Sequence, residues 1–563
     1  MKNSALMVLS KYWGYKTFLP FQEEAILSIL DSKDTLTVLP TGGGKSVCFQ
    51  VPAIISEGMA VIISPLIALM KDQVDYLKDI GIEAECLNSS LDQNTQRNII
   101  NKILNGSLKL LYISPERLMF KHERELLKRV KLSFFVIDEA HCISHWGHNF
   151  RVDSPHIYTG NIDRPNLTYR LLHRSGNVIS QIVDVIKKHH NEAGIIYCLR
   201  RTDVDEISLK LNNLGYRNLP YHAGLSDNIR KKNQDEFSLE KIPIIVATIA
   251  FGMGIDRSNI RYVIHAAMPK SIEHYQQETG RAGRDGLPSD CYMFYSGHDY
   301  KIWEYMLSDS SCREVMLSKL KILYNFCTRP ECRHRYLVNY FGQQYYRANC
   351  GSCDYCLGEV ETVSDALIIG QKILSCVVRV NEKFGADHVS NILKGNLTEN
   401  ISRWGHEKLS TFALLSGESK VFIRFMIEQL LGQGFLIRDK EFLTLSVTES
   451  GRRLLKGEIV PVLAKPVAGS KKKEIEKKHK TKHEKEWTGI DETLFELLRA
   501  KRADLAREKS IPAYIVFSDK TLRDMAEIKP VSADQLRGVF GVGEVKLRQY
   551  GDIFLKLIKE YIG

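Results

Sequence analysis

Long apolar runs are missing from this sequence of 563 residues. The run Ala5–Leu9 near the N-terminus is too short for the core of a signal peptide. No stretch approaches the roughly 18 apolar residues that a membrane span needs. These absences exclude the membrane classes, and we expect a protein of the cytosol, associated with the nucleoid.

Cysteine is also sparse, with 12 in the whole chain, too few for a disulfide framework at this length. Four of them crowd together with the spacing C-x17-C-x2-C-x2-C. Tight thiolate pairs on a turn, plus one thiolate from a preceding helix, suit a closed tetrahedral zinc site. An iron–sulfur cluster is the alternative, and nearby Cys327 is expected in the core. The predicted structural zinc ligands are Cys332, Cys350, Cys353 and Cys356.

Acidic residues are outnumbered, since 78 Lys and Arg against 67 Asp and Glu leave a net charge of +11. The excess is uneven, because Lys465–Trp487 holds nine Lys and four Glu. A solvated linker is one interpretation of this segment. A tether beside a polyanion is the other.

The chain is long enough for several domains, since single cores stop growing near 250–300 residues. Its first 300 residues alternate β-branched apolar runs with helical periods, which predicts parallel α/β sheets. The strands form two sets with a break near Asp163–Asn166, so two α/β domains are expected. The predicted strands are Thr35–Leu39, Ala60–Ser64, Lys109–Ile113, Phe134–Ile137, Gly194–Cys198, Pro243–Thr248, Arg261–His265 and Cys291–Tyr295.

A glycine-rich loop follows the first predicted strand. Its glycines let backbone N–H groups turn toward phosphate at the start of a helix. Lys45 can reach the β- and γ-phosphates of a nucleotide, and Ser46 can bind Mg²⁺. Leu39 replaces the first glycine of the strict phosphate-loop pattern. The predicted nucleotide-binding residues are Thr41, Gly42, Gly43, Gly44, Lys45 and Ser46.

Two further motifs complete a candidate hydrolysis site. Asp138 and Glu139 follow an apolar strand. At that position Asp138 suits a ligand of Mg²⁺, and Glu139 suits a residue that polarises the attacking water. Arg281 and Arg284 lie in a glycine-punctuated loop of the second domain. Such arginines suit a clamp on the γ-phosphate from across a cleft, and a plain surface turn is the alternative.

In combination these motifs resemble the RecQ-type DNA helicases of superfamily 2. The resemblance covers nearly the whole chain and implies two RecA-like domains, then a helical zinc module, a winged helix and a small all-α HRDC-like domain. It also implies an ATP-dependent enzyme that moves 3′ to 5′ on DNA in repair and recombination. The matching segments are Phe18–Gln22, Thr41–Ser46, Ser64–Leu66, Ser114–Arg117, Asp138–His141, Tyr221–Leu225, Ala247–Asp256 and Gln277–Gly286.

The resemblance assigns further roles. Gln22 would read the adenine, and Asp256 would couple nucleotide to the second domain. Arg284 is favoured over Arg281 as the arginine finger. The implied cofactors are Mg²⁺ and Zn²⁺ with ATP as substrate, and the implied partner is single-stranded and forked DNA. The expected divisions are residues 1–162 and 163–307 for the RecA-like domains, 308–358 for the zinc module, 359–458 for the winged helix, 459–488 for a basic linker and 489–563 for the HRDC-like domain.

The segment after Asp138–His141 carries aromatic residues among basic ones. Trp146, Phe150 and Arg151 are predicted to contact DNA by stacking and phosphate binding. In RecQ-like proteins this loop links single-strand binding to hydrolysis. A core position is the alternative for Phe150.

Part of the first domain is missing. After Arg151 the family continues through a helix and a strand that ends in a Thr-Ala-Thr-like motif. Here Val152–Pro155 lead directly into His156–Thr159, which resembles the last strand of the domain. The absent strand belongs between the strand of the phosphate loop and the strand of Asp138. The sheet must therefore close up, which would displace Lys45 from Asp138, or stay open.

Two function classes remain. The first is an ATP-dependent RecQ-type helicase in which the missing segment puts the coupling of ATPase to DNA in doubt. The second is a non-motor DNA-binding protein of the same descent. An RNA helicase is disfavoured by the predicted tail modules. In the last module, Gly541-Val542-Gly543 could present N–H groups to phosphate or form a plain packing corner.

Overall fold

The computed structural model describes residues 1–40, 43–65, 67–88, 91–140, 156–174, 178–190, 192–251, 257–307, 313–439, 443–465, 489–509 and 511–563. The predicted fold class, two parallel-sheet α/β domains followed by smaller domains, is confirmed.

The first domain contains two separate parallel sheets. One has four strands in the order β3-β4-β2-β5, and the other pairs β1 with β6 alone. In the second sheet Thr35 is opposite His156 and Val38 is opposite Thr159. The strands are β1 (Thr35–Val38), β2 (Met59–Ile63), β3 (Ala84–Leu87), β4 (Leu110–Ile113), β5 (Leu132–Ile137) and β6 (His156–Thr159). The helices are α1 (Lys2–Trp13), α2 (Gln22–Leu30), α3 (Lys45–Ile55), α4 (Ile67–Asp79), α5 (Gln93–Leu104), α6 (Pro115–Leu118) and α7 (Lys121–Leu127).

The division between these sheets falls at the predicted gap. Within the described residues no ladder joins β1 to β5. Apolar side chains along the two edges are open to solvent, with Val38 48%, Phe135 56% and Ile157 62% exposed. Strands in one sheet lie about 4.8 Å apart, so a missing central strand cannot be bridged without moving one side. Of the two expected outcomes, the sheet has stayed open.

The second domain holds a complete six-stranded parallel sheet in the order β7-β12-β11-β8-β10-β9. Its strands are β7 (Leu167–His173), β8 (Ala193–Tyr197), β9 (Asn218–Tyr221), β10 (Ile244–Ala247), β11 (Ile260–His265) and β12 (Ser289–Tyr295). Its helices are α8 (Val178–Lys188), α9 (Arg201–Asn213), α10 (Asp227–Ser238), α11 (Ile272–Thr279) and α12 (Gly297–Met306). The central strands are buried along their length, as expected for a sheet covered on both faces.

Two helices and a cysteine turn follow, α13 (Arg313–Thr328) and α14 (Arg333–Tyr340). Next comes a small helical domain with an antiparallel wing, in which Leu436 pairs with Val447. This winged domain consists of α15 (Ala366–Arg379), α16 (Ala386–Lys394), α17 (Glu399–Trp404), α18 (Lys420–Gly432), β13 (Leu436–Arg438), β14 (Leu445–Val447) and α19 (Glu449–Leu455).

The last domain is all-helical and has its own core. It is formed by α20 (Glu492–Lys509), α21 (Ala513–Val516), α22 (Asp519–Ile528), α23 (Ala533–Arg537) and α24 (Glu544–Ile562). Throughout the described ranges, every helix is too short or too polar to span a bilayer.

The C-terminal domain docks on both α/β domains. On the first domain, Lys16 Nζ donates to Gly538 O at 3.2 Å, and the rings of Tyr15 and Phe540 stack with centroids 5.1 Å apart. On the second domain, Arg261 pairs with Asp519 at 3.2 Å. This last domain therefore bridges the two halves of the predicted motor.

The docking decides between the two interpretations of the Gly541-Val542-Gly543 turn. Its backbone lies against Gly14, where an added Cβ would sit only 2.7 Å from Val542 N and 2.8 Å from Gly543 N. In this arrangement the turn is a packing corner, because its N–H side is occupied by protein. Lys546, three residues after this turn, is partly buried near Asp79, and burial lowers its pKa to about 8.

Candidate nucleotide, zinc and DNA sites

The phosphate loop is shaped by its glycines. Gly43 N donates to Pro40 O at 2.9 Å, and Gly44 has φ of 71°, a left-handed conformation that glycine adopts without strain. Helix α3 starts immediately afterwards, so Lys45 and Ser46 occupy its first turn. The positive end of a helix at this point favours bound phosphate. Thr41 and Gly42 lie outside the described residues.

Gln22 is buried directly behind this loop. Its side-chain Nε2 donates to Gly44 O at 3.0 Å, and its Oε1 accepts from Leu19 N at 2.8 Å. A side chain at Gly44 would overlap the Gln22 amide. Gln22 thus positions the loop in this structure, and its proposed contact with adenine stays a prediction. The motif sequence indicated that Gln22 belongs to the site but not that it contacts the loop backbone.

Asp138 and Glu139 stand at the end of β5, as predicted. Asp138 N donates to Ile63 O at 2.9 Å, and Ser64 Oγ lies 3.4 Å from Asp138 Oδ2. Burial raises the pKa of Asp138, the charge of Glu139 raises it further, and the charge of Lys45 opposes both. Lys45 and Asp138 are therefore within electrostatic reach of each other although their strands lie in different sheets.

Arg281 and Arg284 lie in the turn after α11, which we call the arginine turn (residues 280–286). Arg281 is buried. Burial raises the pKa of nearby Tyr197 to about 12, although the charge of Arg281 acts to lower it. Gly283 has φ of 56°, and an added Cβ would meet Ser289 Oγ at 2.7 Å. The turn therefore has one fixed shape.

The residues that hold this turn were missed as functional positions. Arg164 and Asn166 were predicted only as the start of the second domain. Arg164 NH2 donates to Gly283 O at 2.9 Å, and Asn166 Nδ2 donates to the same oxygen at 2.9 Å. Asn166 Nδ2 also donates to Leu287 O at 3.0 Å. No local sequence signal marks these long-range contacts.

The four predicted cysteines come together. One Sγ from each of Cys332, Cys350, Cys353 and Cys356 lies within 4.8 Å of all the others. Tetrahedral zinc with bonds of about 2.3 Å places its thiolates at this kind of spacing. Backbone N–H groups point at the sulfurs, since Ser352 N lies 3.4 Å from Cys350 Sγ. The donor set fits zinc with no open position, which indicates a structural site.

One detail of the zinc prediction changes. Cys332 is the N-cap of α14 and not part of a preceding helix, because the helix begins at Arg333. Arg333 is a buried structural residue whose Nε donates to Asp354 Oδ1 at 2.7 Å. Cys327 is in the core, as predicted, with its Sγ 3.7 Å from Met293 Sδ.

The cysteine turn is attached to the second α/β domain. Cys353 forms a β-bridge with Tyr169 of the edge strand β7, and Asp354 Oδ2 accepts from Leu171 N at 3.0 Å. His334 Nδ1 lies 2.6 Å from Asp163 Oδ1. Loss of metal here would therefore expose the edge of the sheet.

The predicted DNA residues Trp146, Phe150 and Arg151 lie outside the described residues, and so does Asp256. Their assigned roles stay predictions.

Together the two RecA-like domains, the helix-borne phosphate loop, the acidic pair and the arginine turn define the class of nucleotide-driven helicases. The family models that match are DEAD/DEAH box helicase over residues 19–161, helicase conserved C-terminal domain over 177–286, RecQ zinc-binding over 297–357, RQC domain over 361–479 and HRDC domain over 491–558.

Curated relatives match along the whole chain. It is 38% identical to the "ATP-dependent DNA helicase RecQ" of Haemophilus influenzae, with 100% of this chain and 96% of the relative aligned. Identity to the protein of the same name from Bacillus subtilis is 36%, covering 100% of this chain and 99% of the relative. The chain belongs to the RecQ family of DNA helicases. ATP and zinc are the ligands that accompany these family domains.

The alignments also measure what this chain lacks. Each extends over 606 positions, and 606 less the 563 residues of this chain leaves 43 positions at which the relatives alone have residues. That difference has the size of a helix and a strand with their connections.

Proposed function

We propose that this protein is an ATP-dependent 3′–5′ DNA helicase of RecQ type that acts on single-stranded and forked DNA in repair and recombination. The observation that carries the proposal is that Lys45, in the first turn of α3, and Asp138, at the end of β5, lie near enough for the charge of Lys45 to oppose the raised pKa of Asp138. It supports a site in which both sides of a bound nucleotide are still present. The family membership supplies the DNA substrate.

Each residue of the site has a proposed role. Lys45 and the N-terminus of α3 bind the phosphates, and Ser46 and Asp138 would hold Mg²⁺. Magnesium, when bound, neutralises charge on the phosphates. Glu139 positions the attacking water, and Arg284, with Arg281 beside it, stabilises charge that develops in the transition state. The role of Glu139 agrees with its backbone, which has φ of 50°, a strained conformation of the kind that concentrates at functional sites.

A second candidate is a DNA-binding protein with a defective motor. The split between β1 and β5 favours it, because phosphoryl transfer depends on positioning and a shift of a few ångströms costs orders of magnitude in rate. The zinc module, winged domain and second α/β domain would still bind DNA.

Steady-state ATPase with and without single-stranded DNA separates the two candidates. A working motor predicts hydrolysis that rises with DNA and is abolished in Glu139→Gln. A defective motor predicts hydrolysis near background that DNA does not change. Unwinding of a 3′-tailed duplex by wild type, absent in Glu139→Gln, would establish the helicase. Failure to unwind, with DNA binding intact, would establish the second candidate.

DNA binding itself should not depend on the nucleotide site. Contacts to phosphates lie mainly outside the loop, so Lys45→Ala should bind a forked DNA with the affinity of wild type. Affinity should fall steeply between about 50 and 200 mM salt, because bound counterions are released from the DNA. Equal affinity at both salt concentrations would contradict the proposal. Association with the nucleoid follows from the DNA substrate and remains part of this proposal.

A further inference from the structure

Trp404 is an exposed aromatic residue in an ordered position. It ends α17, and 60% of its surface is open to solvent. Gly405 follows with φ of 66°, so the chain reverses there, and the next residue, His406, is buried. Single exposed apolar residues are common and need no explanation. Trp404 differs because other rings hold its indole in place.

Those rings, which we call the ring cluster, are Phe384, His388 and His406. His388 Nε2 lies 2.8 Å from His406 Nδ1, and the ring of Phe384 stacks on His388 with centroids 4.2 Å apart. Phe384 meets the indole of Trp404 at 81° with centroids 5.6 Å apart. His406 lies nearly parallel to the indole, at 22° and 6.4 Å. The indole is therefore supported by the cluster while most of its surface stays open.

The ring cluster lies beside the wing. Leu445 N of β14 donates to Phe384 O at 3.0 Å, and Gly385 forms an antiparallel bridge with Thr444. The cluster also borders α18. Asp387, the residue before His388, contacts Lys420 at 3.0 Å and Arg424 at 2.8 Å, both on that helix. Trp404 thus belongs to the part of the winged domain where the wing and the basic side chains of α18 meet.

Two basic residues lie close to Trp404 in sequence. Arg403 and Lys408 are both exposed, and no ion pair of either is found in the described part of the chain. A surface for a protein partner would be expected to continue as an apolar patch. Here Arg403 directly precedes the exposed ring and Lys408 follows four residues later, with the partly buried Glu407 between, and the two exposed cations suit a polyanion.

We propose that Trp404 stacks on a nucleobase at the junction between duplex and single strand, with Arg403 and Lys408 contacting the adjacent phosphates. Every base has a flat π-face, so such a platform binds DNA without reading its sequence. Bases become free to stack where the duplex ends. The inference rests on the proposed function, since it requires that the winged domain bind forked DNA.

The test uses the full chain and a forked DNA that carries 2-aminopurine at the junction. Wild type should change the 2-aminopurine fluorescence on binding. Trp404→Ala should lose this change and bind the fork about tenfold more weakly, whereas Trp404→Phe should stay within about threefold of wild type. Ile368→Ala is the matched control, because Ile368 is 51% exposed on α15 of the same domain and is not in the ring cluster. It should behave as wild type.

Three results would overturn the inference. One is a Trp404→Ala protein with wild-type affinity and fluorescence change, as expected if the ring serves a protein partner. Another is an equal loss in Ile368→Ala. The third is a fall in unfolding temperature for Trp404→Ala, which would assign the ring a structural role. Failure of the helicase proposal would look different, since wild type would bind the fork but not unwind it.

Discussion

Arg261 of β11 donates to Asp519 of α22 across 3.2 Å, in a buried ion pair that joins the second RecA-like domain to the HRDC domain. Both residues have a second partner. Arg261 also pairs with Asp285 of the arginine turn, and Asp519 accepts from Arg502 at 2.7 Å. The position of the HRDC domain is therefore coupled to the turn that carries the predicted arginine finger.

Removal of the charge at Asp519 should release the HRDC domain. In Asp519→Asn the two arginines Arg261 and Arg502 lose the negative charge that both of them contact. Breaking a buried ion pair costs about 3–5 kcal/mol. We expect faster release of the C-terminal domain by trypsin and a larger radius of gyration in small-angle scattering. Asp534→Asn is the control, since the Asp534 side chain is 90% exposed in its pair with Arg537. A compact, protease-resistant Asp519→Asn protein would refute this coupling.

The contact on the first domain gives an independent prediction. Gly14→Ala should weaken docking, because the new Cβ would lie 2.7–2.8 Å from the backbone of Gly541–Gly543. Gly106→Ala is closely matched, with φ of 66° against 71° for Gly14 but nothing within 4 Å of its Cβ. Both variants should lose about 1 kcal/mol from backbone strain. Only Gly14→Ala should also increase trypsin release, and equal behaviour of the two would argue against close docking.

Sequence reasoning predicted all the inner strands of the α/β sheets, together with β1, β5 and β6, and missed three others. The missed strands β3, β9 and β7 all lie at sheet edges. Each contains a residue that argues against a buried strand. Glu85 in β3 is neutralised by Lys78 and Lys102, at 2.8 and 2.7 Å, and β9 contains Pro220. An edge tolerates both, since one side of the ladder is unpaired.

The third missed strand, β7, contains a buried charge, and long-range contacts of this kind were also missed at the candidate site. Arg170 of β7 is 3% exposed, yet it pairs with Asp290 at 2.9 Å and Glu359 at 2.7 Å. Those partners are distant in sequence, so periodicity alone cannot reveal them. The zinc ligands were predictable because their spacing is local for three of the four cysteines. The contacts of Arg164 and Asn166 with the arginine turn join residues far apart in sequence, so they could not be predicted.

Zinc binding should depend on the four cysteines and not on their neighbour. Cys353→Ala should lose the metal and lower the unfolding temperature, since Cys353 also bridges to Tyr169 of β7. Cys327→Ala removes a buried thiol near the site and should keep one zinc per chain. Metal analysis by mass spectrometry of the purified proteins measures both. One tightly held zinc in Cys353→Ala would contradict the assignment.

His189 gives a pH-dependent prediction. Burial lowers its pKa, but hydrogen bonds to Asp290 and Glu192 outweigh burial and raise the pKa to about 9. Because the pKa of His189 is higher in the folded protein than in the unfolded chain, its protonated form stabilises the fold. This stabilisation is complete below the unfolded pKa near 6.5 and is lost as pH rises toward 9. His189→Gln should therefore cost up to about 3 kcal/mol at pH 6 and little above pH 9.

Chemical denaturation at a series of pH values measures this difference. His190→Gln is the natural control, because His190 is the adjacent residue and is exposed. Its stability should follow that of wild type throughout. A His189→Gln deficit that does not change with pH would show that the residue acts by packing alone.

The open sheet of the first domain leads to the last prediction. Phe135 lies on β5 beside the missing strand and is 56% exposed. Substitution of an exposed residue away from special features changes stability by about 0.5 kcal/mol or less. Phe135→Lys should therefore leave the free energy of unfolding nearly unchanged and reduce aggregation, because a charge on an unpaired edge blocks strand addition.

Phe294→Lys supplies the contrast, since Phe294 is 1% exposed in the intact second sheet. An unpaired charge there should unfold the domain. If the first sheet closed in solution, with β5 moving against β1, Phe135 would become a core residue and Phe135→Lys would cost several kcal/mol. Denaturant titration of both variants therefore reports on the gap itself. A stable Phe135→Lys protein means that the strands of Lys45 and Asp138 stand apart before nucleotide binds, so any ATPase activity must come from side chains that span an unfilled sheet.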